Sequence, residues 1–412
     1  MKQELCIFGE NFIDMLGAII GDIVGSRWEF NPTNDYNFPL FSEKNGFTDD
    51  TVCTVAVADA LLNNSSDYGK YIHEWCRRYP HPKGGYGGRF VQWVRSDQPK
   101  PYNSLGNGSA MRVSPVGRWF NDSDKIAEQA KKTAECTHNH PEGIIGAQAV
   151  ALAIHDCWQL AQTKKGEMIS KEDILWKGLG QATKLYVDTP DLFNVDIEEH
   201  RNIFDETCPG TVPVALAIIQ NSSDFEDAIR QAVSLGADAD TIGAIVGSIA
   251  ETLWGIPEWM KEKAMTYLPD EMREVVGNFY EQIELPSRIT PNRIDTLNEG
   301  EIFVFGSNKQ GYHGGGAARA ALNKFGAEWG NGEGLQGRSY ALPTMEGLES
   351  TKAAVDRFTA FAAGHKELRF YVTAVGCGIA GYVAEEIAPF FAEAAKLENV
   401  YLPASFWEVL KG

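Results

Sequence analysis

Positive charge is scarce in this chain. Its 412 residues carry 37 Lys and Arg against 56 Asp and Glu, a formal net charge of −19. Binding DNA or RNA depends on neutralising phosphates with such cations, so no nucleic-acid surface is expected. Any phosphate site must be local, built from backbone amides or metals. Cysteine is sparse too: seven thiols, spread widely and never as C-x-x-C, a pattern that suggests reduced thiols in a cytoplasmic protein. No 18-residue apolar run reads as membrane-spanning. The N-terminus, with acids at Glu4, Glu10 and Asp14, lacks the basic start and apolar core of a signal peptide. Fixed-period repeats and low-complexity tracts are also missing.

What is present is the material of an ordinary globular protein, 43% hydrophobic and 23% charged. The length exceeds what one core usually serves, so two domains are expected. From Asp14 to about Glu284 the pattern is helical. In "DFEDAIRQAVSLG", Phe225, Ala228, Ile229, Ala232 and Val233 follow the i, i+3, i+4 spacing of a buried stripe, and Gly236 can end the helix. Composition changes at "ELPSRITPNRIDTLNEG", where two prolines interrupt the periodicity. Beyond it, "EIFVFG", "RSYALP", "LRFYVTAVG" and "NVYLP" read as strands, alternating with helical "GAARAALNKFG" and "EEIAPFFAEAAKL". The expectation is a multi-domain chain: an all-α domain over 1–285, a linker over 286–299 and an α/β domain over 300–412.

Two helix starts carry an unusual density of oxygen ligands. "FTDDT" sets Thr48, Asp49, Asp50 and Thr51 before an apolar helix, and "SLGADADTIGAIVG" sets Asp238, Asp240 and Thr241 before another. Either alone reads as an N-cap with acids favoured by the helix dipole. If the two meet in space, their like charges are strongly unfavourable unless cations compensate. With only oxygen donors in the two motifs, hard ions such as Mg²⁺ or Mn²⁺ fit better than zinc. This many carboxylates suits a pair of ions, able to clamp a sugar diol or activate a water.

"MLGAIIGDIVGSRWEF", "FTDDT", "LGNGSAMRVSPVG", "THNHPEG" and "LGADADTIGAIVG" occur in the order seen in the ADP-ribosylglycohydrolase family, the group that includes dinitrogenase reductase-activating glycohydrolase. The resemblance spans roughly residues 15 to 265. It implies an all-α fold with a two-metal centre on the distal ribose of ADP-ribose, and a hydrolase that removes ADP-ribose from a modified acceptor. On matching positions, Thr48, Asp49 and Asp50 would bind metal from one side and Asp238, Asp240 and Thr241 from the other. Asp49 and Asp240 are expected to be the most sensitive. Glu29 matches an acid that lies on a mobile segment over the substrate in some members. Gly106, Asn107, Gly108 and Ser109 fall in a segment the family places at ADP-ribose, and His138 is a further candidate for substrate contact. The chain has "DADT" where many relatives have "DTDT", at a position not assigned to metal.

In the last third, Asn308 followed by "HGGGAA", and "GCGIAGY" after a strand, resemble the two ligand loops of the macrodomain, an ADP-ribose-binding module. The departure is "FGSN" in place of Asn-Ala-Ala-Asn. By this resemblance Asn308, Gly314, Gly315, Gly316, Gly378, Ile379, Ala380 and Gly381 would contact ADP-ribose, either to bind it or to hydrolyse a different linkage. Two other functions stay open: a hydrolase of a small ADP-ribosyl metabolite, and an immunity protein that occludes an ADP-ribosyltransferase.

Overall fold

A computed structural model describes residues 15–164, 167–187, 194–283, 288–291 and 293–411. Cys6, the N-terminal acids, and residues 286, 287 and 292 of the stretch read as a linker lie outside them. The chain divides into two compact units, residues 1–283 and 284–412.

The first unit is built of helices. The stripe Phe225, Ala228, Ile229, Ala232 and Val233 is buried on the Phe225–Ser234 helix, which Asp224 caps by accepting from the Asp227 N–H. Gly236 follows at φ 72°, a left-handed conformation that favours glycine. Among the described residues the Pro141–Thr163 helix is the one exception to the lack of long apolar runs. It has the length and mean hydropathy (1.2) of a spanning segment, yet 67% of that window is buried inside the unit. It runs through the core because it is rich in alanine and small residues that let neighbouring helices close on it.

At the centre, α1 (Leu16–Gly25) lies against the Ala239–Trp254 helix, backbone against backbone. Gly17, Gly21 and Gly25 line one side of α1. A Cβ on them would stand 2.2, 1.9 and 2.2 Å from the carbonyl oxygens of Gly247, Gly243 and Ala239. Glycines four apart on one helix face are what makes this approach possible. The contact brings α1 against the start of the helix that carries Asp240.

The second unit holds a five-stranded sheet in the order β2-β3-β1-β4-β5: β1 Glu301–Ser307, β2 Gly334–Gln336, β3 Ser339–Pro343, β4 Arg369–Val372 and β5 Val400–Tyr401. Only β2 is antiparallel, to β3. Ile302 and Val304 of β1 join one apolar cluster while Phe303 and Phe305 join another, so both faces of the sheet are covered. This is why the four residues from Ile302 to Phe305 are all apolar rather than alternately so.

Two sequence expectations change here. "EEIAPFFAEAAKL" is not one helix: after Ala384–Ile387 the chain continues as short 3₁₀ turns, because Pro389 removes an N–H donor and crowds the preceding turn. Part of the stretch read as a linker is docked. Arg288 donates to the carbonyls of Ala395 and Val400 (2.9 and 2.8 Å), and Ile289 bridges to Leu402.

Candidate metal and substrate site

The two acidic helix starts meet. Thr48 caps α2 (Asp49–Leu62), its hydroxyl accepting from the Asp50 N–H at 3.2 Å. Asp50 reaches the Thr241 side chain, and carboxylate oxygens of Asp22, Asp50 and Asp240 lie within 4.8 Å of one another. Thr48, Asp50, Asp238, Asp240 and Thr241 are buried, and Asp49 is partly exposed. The Asp238 Oδ2 accepts from the Asn107 amide at 2.7 Å, and the Thr241 N–H donates to Asp240 Oδ1 at 3.0 Å.

Burial, then the neighbouring carboxylates, pushes Asp49, Asp50 and Asp240 well above the usual carboxylate range. Burial raises Asp22 to about 6, against the hydrogen bonds from Thr51 and Thr48 that lower it. Asp238 also rises to about 6 through burial, in spite of its bond from Asn107. Glu29, pushed up to about 7 by burial and the charge of Asp238, sits beside Asp240. Asp22 Oδ1 and Asp50 Oδ2 are buried without a hydrogen-bond partner among the described residues. Crowded, half-satisfied carboxylates of this kind fit hard divalent cations, which would neutralise the charge and fill the empty acceptor positions.

The cluster opens into a cavity of about 440 Å³ lined in part by Glu29, Phe30, Asp49, Arg89, Tyr102, Gly106, Asn107, Gly108, His138 and Glu206. Gly106 and Gly108 hold the loop close to the His138 ring: a Cβ on Gly108 would stand 3.1 Å from its Nε2. Burial keeps that imidazole well below its usual pKa, hence neutral, and its Nδ1 pairs with the Thr137 hydroxyl at 2.7 Å. Ser109 lies beneath the loop, its hydroxyl donating to the Gly143 carbonyl at 2.6 Å, so it supports the loop rather than lining the cavity. Arg112 is fully buried and donates to the Thr133 carbonyl and the Thr137 hydroxyl, both at 2.8 Å. At the mouth, the exposed ring of Phe30 pairs with Phe204 at 6.3 Å between centroids.

Asp22 is the residue that the motif reading missed. Its signal in the sequence is an acid inside the apolar run "AIIGDIVG", where burial is expected on every face. Phe204 and Glu206 lie in no motif, and Phe30, which ends "MLGAIIGDIVGSRWEF", gains a place only when the fold sets it at the cavity mouth.

In the second unit a cavity of about 550 Å³ lies at the ends of β1 and β4. Asn308, Gly314, Gly315, Gly316, Gly378, Ile379 and Ala380 line it; Gly381, at φ 81°, turns the chain just beyond. A Cβ on Gly314, Gly315, Gly316, Gly378 or Gly381 would meet none of the described residues within 4 Å, so packing among them does not require these glycines.

The family described as ADP-ribosylglycohydrolase matches residues 14–288, two thirds of the chain, so the chain belongs to the ADP-ribosylglycohydrolase family, a class of glycosidic hydrolases. Among its relatives, ADP-ribosylarginine hydrolase Tri1 of Pseudomonas putida is 27% identical, covering 61% of this chain and 73% of the relative. ADP-ribosylhydrolase ARH3 of Danio rerio is 25% identical, covering 59% and 82%. A solved ADP-ribosylglycohydrolase-related protein complex aligns with a TM-score of 0.49 at 24% identity, over 65% of this chain and 95% of that one.

Proposed function

We propose that the chain is a divalent-metal-dependent hydrolase that releases ADP-ribose from an arginine-linked acceptor. The observation that carries the metal reading is the convergence of buried carboxylates from the two helix starts, with partnerless oxygens among them. Thr48, Asp49 and Asp50 would hold the cations from one side and Asp238, Asp240 and Thr241 from the other. Two Mg²⁺ or Mn²⁺ ions bound there supply a clamp for the ribose hydroxyls and an activated water. Asn107 fixes Asp238, and Arg89 with the Gly108 amide suits a diphosphate, the Gly106 and Asn107 N–H groups being taken by the Ser104 hydroxyl and the Glu206 carbonyl. Glu29 is the acid assigned to proton transfer at the leaving nitrogen.

The arginine linkage rests on the mouth of the cavity. Phe30 and Glu206 are both exposed there, with Glu29 beside them. An aromatic face with carboxylates recognises a guanidinium by stacking and charge pairing, and a neutral hydroxyl acceptor uses neither. Incubation with arginine- and serine-linked ADP-ribosyl peptides, with EDTA and after Mn²⁺ is restored, tests both points. Free ADP-ribose from the arginine peptide, lost with EDTA and regained with Mn²⁺, is the expected result. Preference for the serine peptide overturns the linkage, and release undiminished by EDTA overturns the metal.

The second unit is proposed as a further ADP-ribose-binding module. Its support is the ring of glycines that pack against nothing, together with a Gly316–Lys324 helix whose first N–H groups have no side-chain cap. Calorimetry should find two equivalents of ADP-ribose with Mn²⁺ and one with EDTA. Gly315→Glu, which sets a carboxylate in the cleft, should remove the one that remains. Retention of that binding in the variant would rule the cleft out.

A further inference from the structure

Asp22 sits in the middle of α1, fully buried, with Ile19, Ile20, Ile23 and Val24 around it also fully buried. A carboxylate in such a place is costly unless donors or cations meet it. The donors it has come from one place, the first turn of α2. Its Oδ2 accepts from the Thr48 N–H at 2.9 Å, from the Thr51 N–H at 3.1 Å and from the Thr51 hydroxyl. Among the described residues its Oδ1 has no partner, and it belongs to the carboxylate that groups with Asp50 and Asp240.

The two halves of the site reach each other through this residue. The half carrying Asp238, Asp240 and Thr241 belongs to the helix that α1 touches backbone to backbone, so its position relative to Asp22 is fixed. The half carrying Thr48, Asp49 and Asp50 begins a different helix, nearly thirty residues beyond Asp22. We infer that Asp22 is the positioning residue of the metal centre: by gripping the Thr48 to Thr51 turn from α1, it sets the spacing between the two halves of the ligand set. The inference rests on the metal reading proposed above.

The test is Mn²⁺ binding to the full chain, followed by the loss of the free-ion paramagnetic resonance signal, on the parental protein and on Asp22→Asn. Asparagine keeps one acceptor oxygen and the shape of the side chain but gives up the charge that strengthens all three bonds. Groups that hold metal ligands from behind typically contribute about 10- to 100-fold in metal affinity. Asp22→Asn is therefore expected to bind Mn²⁺ about 10- to 100-fold more weakly. Thr51→Val removes one of the three donors at constant volume and is expected to shift Mn²⁺ affinity several-fold in the same direction. It carries the test should Asp22→Asn fail to fold. Parental Mn²⁺ affinity in the folded variants overturns the inference while leaving the metal reading intact. No Mn²⁺ uptake by the parental protein overturns both.

Discussion

Replacing Asp240 with asparagine is expected to slow ADP-ribose release at least about a thousand-fold, the scale of losing a metal centre worth several kcal/mol to the transition state. The same change should raise the melting temperature of the metal-free protein. Asp240 is held well above its usual pKa by burial and by the charges of Asp238 and Asp50, so without cations it is a source of repulsion that asparagine relieves. The pH dependence follows from the sign of these shifts. Asp22 and Asp238 at about 6 and Glu29 at about 7 all lie above their unfolded values. Groups raised in this way contribute stability that is fully present below the unfolded pKa and is lost as pH rises through the folded one. The EDTA-treated protein should therefore melt progressively lower between about pH 5 and pH 8, and Asp240→Asn should flatten that slope. Excess Mn²⁺ inverts the order. At a hundred times the dissociation constant it adds about 2.7 kcal/mol to the parental protein, roughly 5 to 10 °C at this size. Melting curves at pH 5.5, 6.5 and 7.5, with EDTA or Mn²⁺, check each sign. A metal-free protein that melts higher as pH rises would contradict the charge-crowding account.

The parts of the site that were legible in the sequence are those where chemistry is concentrated locally. "FTDDT" and "LGADADT" each place several oxygen ligands within a few residues, and the fold brings the two together. What escaped was whatever depends on a partner far along the chain. Asp22 is a single acid in an apolar helix, and its significance lies in Thr48 and Thr51 rather than in its neighbours. Phe204 and Glu206 belong to a loop of ordinary composition and matter only because they stand at the cavity mouth with Phe30. In the second unit, β1 was readable because a strand covered on both faces is apolar throughout, whereas β2 is three residues long, too short for any period to register. Pro389 was a visible breaker inside an alanine-rich stretch, and its veto outweighed the helix propensity around it.

The glycines of α1 show most sharply how little composition alone decides. Gly21→Ala is expected to destabilise the protein by about 3 kcal/mol or more, lowering its melting temperature by roughly 6 to 12 °C. The new methyl would stand 1.9 Å from the Gly243 carbonyl oxygen and 2.2 Å from its carbon, both backbone atoms of a helix that cannot give way without moving as a whole. Helix propensity pulls the other way, since alanine in a helix interior is favoured over glycine by about 1 kcal/mol, but that gain is smaller than the cost of driving two packed backbones apart. Gly277→Ala isolates the propensity effect. It lies in the Asp270–Ile283 helix, where an added Cβ meets nothing within 4 Å, and should raise the melting temperature by about 2 to 4 °C. The same chemical change thus takes opposite signs on two helices of one unit, and thermal melts of both variants read the difference directly. The α1 contact also governs where Asp238 and Asp240 stand relative to Asp22, so Gly21→Ala should weaken Mn²⁺ binding even at temperatures where the protein is folded. A Gly21→Ala protein that melts with the parental one would mean the two helices are held apart by something other than their backbones, and the rigid frame argued for Asp22 would lose its basis.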